Sequence, residues 1–314
     1  MSAFLIVLPL IIIICLGNFM KYKGFYTNID VKSLTKTLFW IIMPALLYRA
    51  TFISGKEILN QPGLLKGSHL AYVITIILVW IFDYFIFYKK NTPKLATSVM
   101  AAIRGNNIYL GFPLVYLTMG DLGLEKASIY IAVTTIGYQL LSIGGGNIAL
   151  TEKLDYKSII FITKRLVKNP QVLACFVGVM SAVVGIERLP IPIDESLKIL
   201  GSAASAMALL MIGASINFTS LNHFLKMLKN TLWDVLVRLI FHPVFMYACL
   251  SFFNVPRILL QVTVLISAMP TAVNVFVFAS EMGMDGEHGA ELVVMSTLIS
   301  AFTIPAWIKI LEIV

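Results

Sequence analysis

The sequence predicts an all-α polytopic membrane protein: ten transmembrane helices in two inverted five-helix repeats, with one broken helix in each repeat. Three observations carry that expectation. Of 314 residues, 59% are hydrophobic and 13% charged, against roughly 25% charged in soluble domains, and the mean hydropathy is +0.88. Apolar runs of about 20 residues, enough to cross the hydrocarbon, recur along the whole chain. Two of those runs are interrupted by Gly, Pro and Asn at matching places in the two halves, a pattern that points to a binding site between repeats.

The runs follow in order. The first, 3–20, has no basic segment before it and no small-residue cleavage site after it, so it reads as a retained helix and not a signal peptide. Lys21 and Lys23 follow it and place the N-terminus outside. Next come 34–53, with Pro44 near its middle, 70–88, the interrupted 95–119, and 127–150. A lysine-rich connector, 151–169, joins the halves. The second half reads 171–186, 197–216, 232–253, the interrupted 258–282, and 292–314. This threading puts twice as many lysines and arginines on the inner side as on the outer, as the positive-inside rule wants. It leaves both termini outside the cytoplasmic membrane of a bacterium. Cys15, Cys175 and Cys249 sit in apolar runs without metal-ligand spacing and read as packing residues. The basic residues are scattered and form no nucleic-acid patch.

The stretch 101–120, AAIRGNNIYLGFPLVYLTMG, is the most informative. Each unpaired backbone amide in hydrocarbon costs several kcal/mol, so a helix breaks there only where protein or a watery cavity surrounds the break. Gly105 loosens the helix and Pro113 lacks a donor. Asn106 and Asn107 offer side-chain donors and acceptors where backbone bonds go missing. An ordinary proline kink is the competing reading. The run VLISAMPTAVNVFVFASEM in the second half tips the balance, because Pro270 and Asn274 interrupt it at a similar depth. Five spans per half is an odd number, so two similar halves face opposite ways. Weak similarities support the repeat: Ala45-Leu46-Leu47 with Ala208-Leu209-Leu210, and Thr134-Thr135 with Ser296-Thr297.

At these residues the sequence resembles the auxin efflux carrier family, which includes plant auxin exporters and bacterial organic-acid permeases. The likeness runs through Pro44-Ala45-Leu46-Leu47, Asn106 with Gly111-Phe112-Pro113-Leu114, Met269-Pro270 with Phe276-Val277-Phe278-Ala279, and Thr303-Ile304-Pro305. It implies that the fourth and ninth helices cross at their breaks. It further implies a scaffold of spans one, two, six and seven (1–65 and 170–222) that carries a homodimer contact. The remaining spans (66–150 and 223–314) would move against it, with 151–169 as a short cytoplasmic connector. Two departures stand out: Gly105 replaces the proline expected before Asn106, and no long central loop is present. Phosphoregulation of the plant type is therefore not expected.

Arg104 is the sharpest candidate for chemistry. It lies about ten residues into its span, near 15 Å of depth, where an unpaired cation costs about 2.5–3.5 kcal/mol. A guanidinium matches a carboxylate with two parallel bonds, so Arg104 is expected to hold an anion beside the helix end freed by the break. The structural alternative pairs it with Asp83 or a helix C-terminus. Gly105, Asn106, Asn107, Pro270, Thr271 and Asn274 complete the expected substrate site, with capping of the broken ends as an alternative role. Arg49 reads as a snorkelling residue or a gate to that site. Asp234 and Arg238 lie four apart, with His242 a turn further. They read as a buried pair or, with Asp83, as a proton-coupling group. Gly144-Gly145-Gly146 lacks the context of a phosphate loop and reads as close helix packing.

The chain has no H-E-x-x-H, no G-x-S-x-G and no Walker motif, so neither an intramembrane enzyme nor an ATP-driven pump is expected. The resemblance implies a secondary carrier for a small organic anion, a dicarboxylate or an auxin-like acid, with no cofactor. The runner-up is a sodium-coupled carrier like the bile-acid symporters, or a cation/proton antiporter. Both groups share the crossed-helix plan, and carbonyls freed at Gly105 and Pro270 are suited to a cation.

Overall fold

A computed structural model of the chain describes residues 3–54, 61–88, 92–151, 160, 164, 167–215 and 221–313. All regular structure among them is helical. α1 (Ala3–Tyr22) is followed by α2 (Asn28–Thr37), which passes through a π turn (Leu38–Ile42) into α3 (Met43–Ser54). α4 (Pro62–Phe82) ends in a π turn (Asp83–Tyr88). α5 (Pro93–Ala101) stops at a non-helical stretch, after which a π turn (Asn107–Gly111) opens α6 (Phe112–Leu150). The second half holds α7 (Pro170–Val183), α8 (Ile191–Ser215), α9 (Leu221–Leu236), a π turn (Val237–Phe241) and α10 (His242–Phe252). α11 (Arg257–Ser267), α12 (Asn274–Glu281) and α13 (Gly286–Ile310) close the chain. Most of the connector expected at 151–169 lies outside the described residues.

Helices begin earlier than the apolar runs because caps, and not hydropathy, set their first turns. Thr27 and Asp30 form a capping box, each side chain accepting from the other's backbone N–H at 2.8 and 3.2 Å. α2 therefore starts at Asn28, ahead of the expected 34. Asp285 Oδ1 accepts from His288 N–H at 2.9 Å, so α13 starts at Gly286 instead of 292. α4 opens on Pro62, a residue suited to a first helical turn. The connection expected between the fourth and fifth spans, 120–126, is a kink instead. α6 runs through it, with Gly120 at φ 63°, a left-handed conformation open to glycine.

Among the described residues, five helices are long and apolar enough to cross a membrane: Asn28–Ile53, Pro62–Ile86, Ile191–Ala214, Phe224–Phe252 and Gly286–Ile310. A sixth is added if the pair Leu122–Ile131 and Val133–Leu150, bent by 46°, counts as one span. α5, α11 and α12 fall short because each is one part of an interrupted run. α3 packs on α7 and α8, and α1 on α8. α4 packs on α10, α11 on α6, and α12 on α13. The buried apolar residues divide into two clusters, and the division falls at the interruptions. Ala101, Ala102 and Val273 belong to one cluster, and Ile103, Ala268 and Met269 to the other.

Candidate functional site

The two interruptions are bonded to each other. Asn106 N–H donates to Pro270 O and Ala272 N–H to Arg104 O, both at 2.8 Å. Together they make an antiparallel bridge between Gly105 and Thr271. Thr271 N–H, left without a helical acceptor, donates to Ser296 Oγ on α13 at 2.9 Å. Backbone groups that leave a helix inside the protein thus find partners, two of them across the halves and one on α13.

Arg238, from the π turn after α9, holds both breaks. It is 1% exposed. Its Nε donates to Met269 O and its Nη1 to Ile103 O, each at 3.1 Å. These carbonyls lie just past the C-terminal ends of α11 and α5, where the helix dipoles are negative and a cation is favoured. A Cβ on Gly105 would sit 1.9 Å from Arg238 Nη2 and 2.5 Å from Asn107 Oδ1. Gly105 has no positive φ, so this position needs glycine for space and not for flexibility. That corrects the sequence reading of Gly105. The place of the break is corrected too: the interruption lies before Pro113, which follows the π turn Asn107–Gly111 inside a continuous helix.

Beside the joined breaks is a cleft of about 70 Å³. One wall is formed by Gly105, Asn106 and Asn107 with Ala272, Val273 and Asn274. α6 contributes Thr134, Thr135, Tyr138 and Gln139, and α3 contributes Met43, Leu46, Leu47 and Ala50. Both Thr hydroxyls donate within their own helix, to Tyr130 O at 2.8 Å and Ile131 O at 2.5 Å, which leaves oxygen lone pairs for the cleft. The Oδ1 atoms of Asn107 and Asn274 have no hydrogen-bond partner.

The structure corrects the expected position of Arg104. Its side chain is fully buried one layer behind the cleft wall. Nη1 donates to Gln139 Oε1 at 2.9 Å and Ser142 Oγ at 2.8 Å, and Nη2 donates to Gln139 Oε1 at 2.5 Å. The guanidinium lies 4.0 Å from the Phe278 ring centroid and 5.1 Å from that of Tyr138, within cation–π range. Neither Asp83 nor any other carboxylate pairs with it among the described residues. Arg104 therefore acts on the cleft through Gln139: with Oε1 taken, the amide has its Nε2 donor left to offer.

The group expected at Asp83, Asp234, Arg238 and His242 separates. Asp234 Oδ2 accepts from Ser98 Oγ at 3.0 Å and lies 3.2 Å from His288 Nε2, while Phe82 stacked on Trp233 at 3.7 Å brings the turn of Asp83 near it. Arg238 takes the carbonyls described above. His242 Nδ1 meets Thr75 Oγ1 at 2.9 Å, and its ring stacks on Tyr72 at 5.8 Å. The π turn Val237–Phe241 explains the separation, because its wider winding carries successive residues off the face that four-residue spacing assumes. Arg49 lies outside the cleft lining, in a half-exposed ion pair with Asp194 (2.8 and 3.1 Å), which corrects its place in the expected site. Pro270 and Thr271 build the bridge and do not line the cleft. Sequence reasoning missed Thr134, Thr135, Tyr138, Gln139, Ser98 and His288. The four polar residues of α6 share one helical stripe inside an apolar run, a signal that was present. Among the described residues no cluster of His, Cys, Asp or Glu is suited to a metal ion.

Buried polar walls around a cleft between interrupted helices define an integral membrane transporter. The chain belongs to the family described as "Membrane transport protein", whose model matches residues 2–308; this is the auxin efflux carrier family that its motifs resemble. It is 25% identical over 307 residues to a Rhizobium meliloti protein named "Putative malonate transporter", covering 95% of this chain and 92% of that one. It is 28% identical over 322 residues to an uncharacterized transporter of Methanothermobacter thermautotrophicus, covering 97% of each. It is 23% identical to the uncharacterized transporter YfdV of Escherichia coli K12, over 98% of this chain and 97% of that one. The chain is a transporter and not an enzyme.

Proposed function

We propose that the chain is a secondary carrier that moves a small organic anion, with a dicarboxylate such as malonate as the first candidate, by alternating access at the cleft. The observation that carries this reading is electrostatic. Arg104 and Arg238 flank the joined breaks at 0% and 1% exposure, and neither has a carboxylate partner among the described residues. Two unbalanced cations in a low-dielectric interior make the adjoining cleft favourable to an anion. The N-terminal ends that follow each break, at Asn107 and Asn274, carry no side-chain cap and add positive dipole ends.

In this reading the ten helical runs form two inverted five-helix repeats whose fourth and ninth spans cross at the Gly105–Thr271 bridge. The segments 1–65 and 170–222 are the scaffold, through whose first, second, sixth and seventh spans two copies pair. The segments 66–150 and 223–314 are the moving part, and 151–169 is the cytoplasmic link. The packing of α1 and α3 on α7 and α8 supports that division, as does a cleft lying where α3 faces the breaks. Both termini lie outside the bacterial cytoplasmic membrane. Proteoliposomes taking up labelled malonate and other small carboxylates test the reading. Asn274→Ala and Arg104→Met are expected to lower uptake about tenfold or more, as lost hydrogen bonds to charge do, while the protein remains monodisperse. Absence of uptake or exchange for every carboxylate would overturn it. A second reading, sodium-coupled carriage, is favoured by the partnerless Oδ1 atoms of Asn107 and Asn274, which are suited to a cation. A sodium titration of uptake separates the two.

A further inference from the structure

Away from the cleft, α5, α9, α13 and the π turn after α4 bring a second polar group together. Asp83 and Asp234 are 1% and 8% exposed, and their neighbours Phe82 and Trp233 stack at 3.7 Å, which brings the two turns together beside Ser98. Three of their four carboxylate oxygens, Asp83 Oδ1 and Oδ2 and Asp234 Oδ1, have no hydrogen-bond partner. The fourth, Asp234 Oδ2, is met by Ser98 Oγ at 3.0 Å and His288 Nε2 at 3.2 Å, and Ser98 Oγ also lies 3.0 Å from that nitrogen. Two carboxylates held near each other away from water repel. Neither is paired with a lysine or arginine among the described residues. The donor set is not one for a multivalent metal.

A route leads in. His288 Nδ1 has no hydrogen-bond partner and lies 3.8 Å from Glu291 Oε2. Both residues line a second cleft, of about 210 Å³, with Lys94, Lys226, Asp285 and Glu287. Among the described residues, those six are the titratable groups lining that cleft. A route also leads on: Asp234 lies one turn before Arg238 on the same continuous helix, and Arg238 holds the carbonyls of both breaks.

We propose that Asp83 and Asp234, with Ser98 and His288, form a proton-binding site that couples anion transport to proton movement. His288 passes the proton between the second cleft and the carboxylates. Protonation removes the repulsion between the two acids, and α9 transmits the change to Arg238 and so to the breaks. The proposal rests on the anion-carrier reading.

The test uses the full chain in proteoliposomes with the membrane potential clamped at zero by valinomycin and equal potassium. With a pH gradient of one unit, wild type is expected to accumulate labelled malonate by about tenfold for each proton carried. A trapped pH dye should report proton entry only when malonate is present. Asp83→Asn, Asp234→Asn and His288→Gln are expected to lose this accumulation, with internal malonate stopping at the external level. They are also expected to keep exchange of preloaded for external malonate. A merely structural role would lower exchange together with accumulation. Accumulation that ignores the pH gradient, follows a sodium gradient, or survives in Asp83→Asn overturns the proton site. A wild type that neither takes up nor exchanges any carboxylate fails the carrier reading itself, a different outcome.

Discussion

The two helix breaks perform one task with different parts. The break at Gly105 is held by charge. Arg104 reaches across to Gln139 and Ser142 on α6, and the missing Cβ makes room for Arg238. The break at Thr271 is held by a neutral hydroxyl, Ser296 Oγ on α13. Each break leans on the helix that follows it in its own half, and Arg238 binds a carbonyl of each. The two halves share a geometry of support, while the chemistry differs. Charge is concentrated on the first side, and the second serves as its scaffold.

Three substitutions sharpen or break that contrast. Arg238→Met should have the largest effect, because it orphans Ile103 O and Met269 O together. At about 1–3 kcal/mol for each buried carbonyl left unpaired, the thermal unfolding midpoint in detergent should fall steeply and uptake should vanish. A small shift would show that the breaks do not depend on a shared clamp. Gly105→Ala should come next, at about 1–3 kcal/mol for forcing a methyl into occupied space. Gly111→Ala, whose Cβ would meet nothing closer than 3.4 Å, is its matched control. Equal unfolding midpoints for the two variants would refute the spatial argument. Ser296→Ala should have the smallest effect, about 1 kcal/mol for one hydrogen bond, with uptake retained. If it abolished uptake as fully as Arg238→Met, the second break would be more than support.

Much of the fold was legible because hydrocarbon imposes few solutions. Among the described residues every expected apolar run overlaps helix, and both interruptions fall at the Gly-Asn-Asn and Pro-Thr stretches. Helix starts were less legible: Thr27, Asp30 and Asp285 cap helices from outside the apolar windows. Within the candidate site, the cleft is lined by Asn106, Asn107 and Asn274, polar residues that stand out in apolar runs of the sequence. Gln139 was not, because nothing near it in the chain announces that Arg104 will seize its carbonyl. The spacing of Asp234, Arg238 and His242 misled for a definable reason. Four-residue spacing implies a shared face only while the winding stays α-helical, and a π turn intervenes.

By itself the sequence determined that this chain is helical, lies in a membrane, and interrupts a helix in each half. An apolar solvent leaves a backbone no other way to satisfy its hydrogen bonds. Only the tertiary structure decided which charge faces what. It set Arg104 behind Gln139, gave Arg238 to the two breaks, and joined Asp234 to Ser98 and His288. The reason is that a buried charge is stabilised by groups far along the chain, and local spacing carries no record of them.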